Sequence, residues 1–207
     1  MRAVREKRPK YFIWENVKGA LSSNSGWDLC EVFNEMAEAG YSLWWQVLNA
    51  KDFGVPQNRE RIFVVGFRDG SPREVFFERG DDQPYLEQDT SQSERILKSP
   101  IRSQGDKPTI YDDYNSKMRT DDLTCSLTTN CGAKAERNGM KVVADNRIRR
   151  LTPTECERLM GLPDGWTSKG IIDGKEVEIS DSQRYKLCGN GVVVNVVEEI
   201  LRNIITY

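Results

Sequence analysis

The sequence predicts an α/β protein: part of an open sheet first, a small loop-rich β module in the middle, and regular helix again at the end. Three observations carry that expectation. A continuous apolar run, Tyr11-Phe12-Ile13-Trp14, is followed by a helical stripe and then by two runs rich in aromatic, Val, Ile and Leu residues, Tyr41–Leu48 and Arg61–Phe67. Residues 69 to about 146 break every long periodicity with Ser71-Pro72, Gly80-Asp81-Asp82, Gln88–Glu94, Ser99-Pro100 and Gly105. Near the end, Val193, Val196, Val197, Ile200, Leu201 and Ile204 recur at i, i+3, i+4 and i+7, the spacing of an amphipathic helix.

Taken in order, the first run follows Pro9, and its unbroken apolarity predicts a strand covered on both faces, as in a parallel sheet. It ends in Glu15-Asn16-Val17. Ligands of open α/β sheets gather at the carboxyl ends of strands, so Glu15 is a candidate for chemistry, although an isolated Glu-Asn is more often an ordinary polar strand end. Residues 22–26 read as a loop in which Ser25-x-x-Asp28 can cap the next helix. That helix carries Leu29, Val32, Phe33 and Met36 and ends at Gly40, a residue suited to the C′ position. The second and third strands then form an antiparallel pair joined by the Pro56-Gln57 loop. At the entrance to the third, alternation along an extended backbone puts Gln57, Arg59 and Arg61 on one side and Asn58 and Glu60 on the other. An amide and two guanidiniums on one edge make a fork of donors suited to a phosphate or a base edge. By itself the pattern favours a plainer reading, a charged strand entrance whose arginines pair with Glu60.

In the middle stretch, Leu123–Thr129 and Met140–Val143 are short β-like pieces, with Thr124, Ser126, Thr128, Thr129, Asn130 and Gly132 as small polar or turn residues among and after them. Regular signals return with Thr152-Pro153-Thr154-Glu155, a capping box with proline at the first helical position. A short helix to Met160 follows, stopped by Gly161 and Pro163. Trp166 and a turn at Gly170–Gly174 lead to Gln183–Leu187, then to Gly189-Asn190-Gly191 and the terminal helix.

Composition excludes several classes. At 207 residues with 38% apolar and 30% charged residues, the chain can bury a core of one domain or two small ones. Its mean hydropathy of −0.63 and its short apolar runs predict no membrane span or secretory leader. Five cysteines and no histidine argue against a disulfide framework and against an ordinary zinc site. Cys125 and Cys131 are spaced C-x5-C and read as buried or half-buried thiols, with no metal expected; a reducing cytoplasm fits best. Net charge is −2, so nothing basic marks the chain globally. The amino terminus, with Arg2, Arg5, Lys7, Arg8 and Lys10 against Glu6, leaves room for a local basic face.

Four of these pieces together resemble the DNA cytosine-5 methyltransferases of bacterial or phage type. They are Glu15-Asn16-Val17 at a strand end, Gln57-x-Arg59-x-Arg61 after Gly54-Val55-Pro56, Arg150-Leu151-Thr152-Pro153-x-Glu155-Cys156-x-Arg158-Leu159-Met160-Gly161, and Gly189-Asn190 before the last helix. They occur in the family's order, and residues 71–146 occupy the place of its variable target-recognition region. The resemblance implies a partial Rossmann-like methyltransferase sheet with a small, loop-rich β target-recognition domain. It implies three segments: 1–70 as the second half of the catalytic domain, 71–146 as the DNA-binding domain, and 147–207 as a return segment whose helix packs on the catalytic domain.

The function implied is transfer of a methyl group from S-adenosylmethionine to C5 of cytosine in a specific sequence of double-stranded DNA, in a bacterial or phage-infected cytoplasm. Glu15, Arg59 and Arg61 take the family's catalytic positions. Asn190, Gly191 and Val192 take cofactor-facing ones, and Gln57, Ser126, Thr128, Thr129, Asn130 and Gly132 are expected to meet DNA. Two departures matter. No glycine-rich cofactor loop and no Pro-Cys nucleophile are present; the cysteines are Cys30, Cys125, Cys131, Cys156 and Cys188, and none follows a proline. Gly191 stands where the family usually has a small side chain. The chain therefore reads as the base-activating and sequence-reading part of a methyltransferase, inactive alone, whose partner is a second chain or an amino-terminal half carrying the Pro-Cys segment. Self-association through an uncovered sheet edge is also expected. The competing reading is a non-catalytic DNA-binding protein left by truncation.

Overall fold

The computed structural model describes residues 1–68, 109–112, 117–119, 121, 123–129, 140–144 and 147–205. The first half runs α1 (Arg2–Lys7), β1 (Tyr11–Val17), α2 (Trp27–Glu38), β2 (Ser42–Asn49), β3 (Gln57–Asn58) and β4 (Glu60–Phe67). There follow β5 (Thr109–Asp112), β6 (Lys117–Met118), β7 (Thr124–Cys125), β8 (Met140–Ala144) and β9 (Arg147–Arg150). The chain ends with α3 (Pro153–Leu159), β10 (Lys169–Ile172), β11 (Lys175–Glu178), α4 (Asp181–Asn190) and α5 (Val194–Ile205). Among the described residues, 1–49, 60–68 and 198–205 make one compact unit, and 50–59 and 109–197 make the other.

The first unit is a three-stranded sheet in the order β1-β4-β2, antiparallel on both sides of β4. The hairpin expected between the second and third strands is present, with Ser42 opposite Phe67 and Asn49 opposite Glu60. Ile62 and Val64 of β4 and Leu29 and Met36 of α2 form the core, flanked by Phe12, Trp14, Val32, Phe33, Leu43 and Val47. Alternation along β1 therefore turns Phe12, Trp14 and Asn16 toward the α2 side and Glu15 to the other. Gly66 sits opposite Phe12, whose ring fills the space a Cβ would need.

Two local expectations are corrected here. β1 is not a parallel strand covered on both faces: it pairs antiparallel with β4, forms one edge of the sheet, and leaves Tyr11 39% exposed. Four apolar residues in a row fix burial on average and say nothing about ladder direction. Nor does Ser25 cap α2. Asn24 and Ser25 turn left-handed, Gly26 (φ 91°) is the N-cap, and Asp28 in the first turn accepts from Asn24 and Ser23 instead. The C-terminus of α2 is as expected. Gly40 (φ 88°) lets its N–H reach Ala37 O at 2.9 Å and lets Tyr41 N–H reach Met36 O at 3.4 Å.

The second unit holds a four-stranded antiparallel sheet, β6-β5-β8-β9, and a short parallel pair, β3 with β7. The capping box forms as the sequence predicts. Thr152 Oγ1 accepts from Glu155 N–H at 3.2 Å, and Glu155 accepts from Thr152 N–H at 2.7 Å. The expected turn at Gly170–Gly174 is the end of a two-stranded hairpin, β10–β11, with left-handed Asp173 and Gly174 at its tip. Of the apolar stripe in α5 and just before it, Val193, Val196 and Ile200 are already buried within this chain, so that stripe does not wait wholly on another polypeptide for its cover. Among the described residues no helix is long and apolar enough to cross a membrane.

Candidate active site

In the first unit, Glu15 and Arg61 form a diagonal cross-strand pair. Arg61 lies opposite Val17, so its side chain shares a face with Glu15 one pleat away. Glu15 Oε1 stands 3.0 Å from Arg61 Nε, with the two side chains 22% and 16% exposed. Arg61 is oriented from behind, because its Nη1 donates to Glu60 O at 2.8 Å. Glu60 itself is taken by Lys18, at 3.0 Å to both carboxylate oxygens. The charged-entrance reading, in which the arginines serve Glu60, is therefore not the arrangement found. Oε1 of Glu15 is shut off from water, and among the described residues no N–H is aligned on it as a hydrogen bond. A buried acceptor in that condition costs about 1–3 kcal/mol unless something satisfies it. Chemically the pair offers a carboxyl group that can accept or share a proton, beside a fixed positive charge.

On the other face of β1, Asn16 folds back so that its Oδ1 accepts from Val17 N–H at 2.8 Å. Trp14, Asn16, Val17, Asp28, Leu29 and Val32 contribute to a cleft of about 400 Å³ between β1 and α2.

In the second unit the other two members of the Gln-x-Arg-x-Arg pattern turn inward. Gln57 is fully buried; its Nε2 donates to Leu159 O at 2.9 Å and its Oε1 accepts from Leu127 N–H at 3.3 Å. Arg59 is 4% exposed. Its Nη1 donates to Leu127 O at 3.0 Å and Ser126 Oγ at 3.2 Å, and its Nη2 to Gly189 O at 3.2 Å and Gly191 O at 2.8 Å. Arg59 thus aligns backbone, and Gln57, expected at the DNA, spends its amide on the interior. The reason is that the extended run is not one strand: β3 pairs with β7 and β4 with β1 and β2, and residue 59 lies between them.

Of the other expected DNA contacts, Thr128 is exposed, Ser126 and Thr129 are half-buried, and Asn130 and Gly132 lie outside the described residues. Asn190 and Val192 are exposed around the α4–α5 link. A Cβ on Gly191 would come within 3.1 Å of Leu187 O, a tight approach that a small shift of the link would have to relieve.

Sequence reasoning missed the buried charge of Glu157. Glu157 is fully buried and accepts from Gly165 N–H at 2.7 Å, Thr167 N–H at 2.8 Å and Arg184 Nη2 at 2.9 Å, as well as from the Thr167 hydroxyl. Burial pushes its carboxyl up, but the bonds from Thr167, Arg184 and Gly165 outweigh that and hold it below the usual carboxylate range. No signal in the sequence separates Glu157 from an exposed helix residue, because all its donors come from later turns. Cys125 is the half-buried thiol expected. Burial and the neighbouring Asp112 push it up despite Arg119, and among the described residues no cluster could hold a metal ion.

A sequence profile of C-5 cytosine-specific DNA methylases matches residues 1–123 and 81–206. The chain belongs to the C-5 cytosine-specific DNA methylase family. It is 32% identical over 232 residues to the type II methyltransferase M.HhaI of Haemophilus parahaemolyticus, covering 98% of this chain and 65% of that protein. It is 31% identical over 225 residues to M.Bsp6I of a Bacillus strain, covering 99% of this chain and 68% of that protein. For M.SsoII of Shigella sonnei the identity is 28%, over 99% of this chain and 55% of that protein. The chain thus spans about half to two thirds of the length of these methylases. Its fold is that of the family's α/β methyltransferases. The S. pombe Dnmt2 methyltransferase superposes with a TM-score of 0.63 at 19% identity, covering 95% of this chain and 64% of that one. A putative DNA modification methyltransferase from an E. coli prophage superposes at 0.57 and 17% identity, covering 98% and 71%.

Proposed function

We propose that this methylase-family chain activates the target cytosine and reads the DNA sequence for a C5 methyl transfer whose nucleophile comes from another polypeptide segment. The observation that carries the reading is the Glu15–Arg61 pair: a carboxyl group held 3.0 Å from a guanidinium, with its nearer oxygen buried and unaligned to any described donor. C6 of cytosine is a poor electrophile until N3 is protonated or strongly hydrogen-bonded. A protonated Glu15 sharing its proton with N3, and accepting from the exocyclic amine through its second oxygen, draws electron density from the ring. Arg61 suits the exocyclic O2, and it keeps the Glu15 carboxylate placed when the proton has moved. A base taken out of the duplex would bring these groups together without water between them. A module that only reads sequence has no use for this pair.

S-adenosylmethionine supplies the methyl group when bound. The residues at the α4–α5 link fit one edge of such a ligand: Asn190 offers an exposed amide, Val192 an exposed apolar side chain, and Gly191 no bulk. Thr128, with Ser126 and Thr129, offers short hydroxyls able to reach phosphate or base edges. Among the described residues β1 is an edge strand, and that edge, with the cleft lined by β1, suits a strand and packing surface supplied by a partner chain or an amino-terminal half.

The test is methyl transfer to a cytosine-containing duplex, measured with tritiated S-adenosylmethionine. The chain alone should give background counts, since loss of the nucleophile typically removes several orders of magnitude of rate. Co-expressed with a polypeptide carrying the glycine-rich and Pro-Cys segments, it should become active. In that complex Glu15→Gln should lower turnover by about a hundredfold or more with little change in DNA affinity. Turnover within a factor of two of the parent would reduce Glu15 to a structural strand end.

A further inference from the structure

Two segments of the second unit that sequence alone keeps far apart are held by one side chain. Gln57 accepts from the N–H of Leu127 and Arg59 donates to its carbonyl, so the backbone of this buried residue is held on both sides of its Cα. The same guanidinium extends to the carbonyls of Gly189 and Gly191. The two segments also touch directly. A Cβ on Gly189 would stand 2.5 Å from Thr128 C and 2.6 Å from Thr129 N, so only glycine permits that approach. Arginine suits the task because its planar fork presents donors in two directions at fixed angles, where a lysine presents one point charge. Ser126–Thr129 follows β7 without regular secondary structure, whereas Gly189 lies in the last turn of α4, just before the irregular Gly191–Val193 link to α5. The bonds from Arg59 add to this direct backbone contact in holding the two segments together.

The geometry points to Arg59 as a positioning residue that couples the DNA-facing segment, Ser126–Thr129, to the cofactor-facing link, Gly189–Val192. The inference rests on the proposed function for what each segment faces. Occupancy of one site is felt at the other through this guanidinium. Such coupling is reciprocal in binding free energy: by whatever factor S-adenosylmethionine changes the affinity for DNA, DNA changes the affinity for S-adenosylmethionine. Arg59 touches neither the base nor the methyl donor in this account.

The experiment is amide hydrogen exchange on the chain in complex with the complementing polypeptide, following peptides from 123–129, 186–194 and the hairpin 169–178. In the parent, saturating S-adenosylmethionine should slow exchange in 186–194 and also in 123–129. Arg59→Lys should by itself speed exchange in both segments by about tenfold or more, the scale of losing charge-assisted hydrogen bonds, and leave the hairpin unchanged. In that variant the cofactor should still protect 186–194 while its effect on 123–129 disappears. Protection that spreads as far in Arg59→Lys as in the parent would overturn the coupling. Protection of 186–194 in the parent with none in 123–129 would overturn it too and leave the proposed function standing. No cofactor effect on 186–194 would instead sink the proposed cofactor site, and the coupling with it. Should Arg59→Lys loosen the hairpin as well, Ser126→Ala removes a single acceptor and carries the same comparison. Weakened spread supports the inference, and unchanged spread overturns it.

Discussion

Two carboxylates in this chain are each partnered by an arginine, and they are built for opposite ends. Glu157 is sealed in the second unit with two backbone N–H groups, a hydroxyl and the Arg184 guanidinium filling its oxygens. Glu15 sits at the mouth of the first unit's sheet, one oxygen 3.0 Å from Arg61 and without an aligned donor among the described residues. The satisfied group ties α3, the 165–167 turn and α4 into one piece and has nothing left to offer a ligand. The under-satisfied group keeps capacity for one. What separates the two ion pairs is how many of the carboxylate's acceptor sites are taken, more than charge or burial.

The contrast can be broken by substitution. The largest expected effect is Glu157→Ala, which takes the carboxylate away from Arg184 and three further donors. Removing one partner of a buried pair costs about 3–5 kcal/mol, and urea unfolding of the chain should show a loss of that size. If the loss is under about 1 kcal/mol, the ordinary scale of surface pairs, Glu157 is not the tie it looks to be.

Acid should expose the same difference. Because the folded-state carboxyl of Glu157 is held down, its contribution is complete above the ordinary glutamate range near about 4.3 and is lost as pH falls through its lower folded value. Over that acid window this one group adds up to about 1.4 kcal/mol per pH unit to the slope of stability against pH. Glu157→Gln should flatten the slope by up to that amount, read from urea midpoints at several pH values; an unchanged slope would show that the proton goes elsewhere. A smaller effect belongs to Tyr185, whose hydroxyl donates to Leu151 O at 2.7 Å and whose phenol burial pushes up to about 12. Tyr185→Phe should cost about 1 kcal/mol in the same unfolding measurement, the net value of one hydrogen bond. Smallest of all, Glu15→Gln should change stability by no more than about 0.5 kcal/mol while removing most turnover in the complemented enzyme. A large stability loss there would erase the distinction between the two carboxylates.

The Gln57, Arg59, Arg61 pattern teaches the same lesson at closer range. As a string it places all three on one side, and that geometry holds only within one strand. Here the run is divided between β3 and β4, so Arg61 reaches Glu15 while Gln57 and Arg59 serve Leu127, Leu159, Gly189 and Gly191. The α2 cap shows a related limit. Ser25 and Asp28 have the right chemistry, but left-handed turns at Asn24 and Ser25 hand the N-cap to Gly26.

What the sequence determined by itself are the features set by neighbours along the chain. The Thr152–Glu155 capping box, the Gly40 stop, the β2–β4 hairpin and the helical spacing of α2 and α5 all depend on residues within a few turns of one another. The four motifs also sufficed to recognise the family. Tertiary structure alone decided the antiparallel edge position of β1, the four-bond environment of the Glu157 carboxylate, and the division of labour between Arg59 and Arg61. Each of these depends on partners dozens of residues away, such as Gly189 for Arg59 and Arg184 for Glu157. Hydrogen bonds of that span are directional and short-ranged, and periodicity and propensity carry no record of which distant group will arrive within reach.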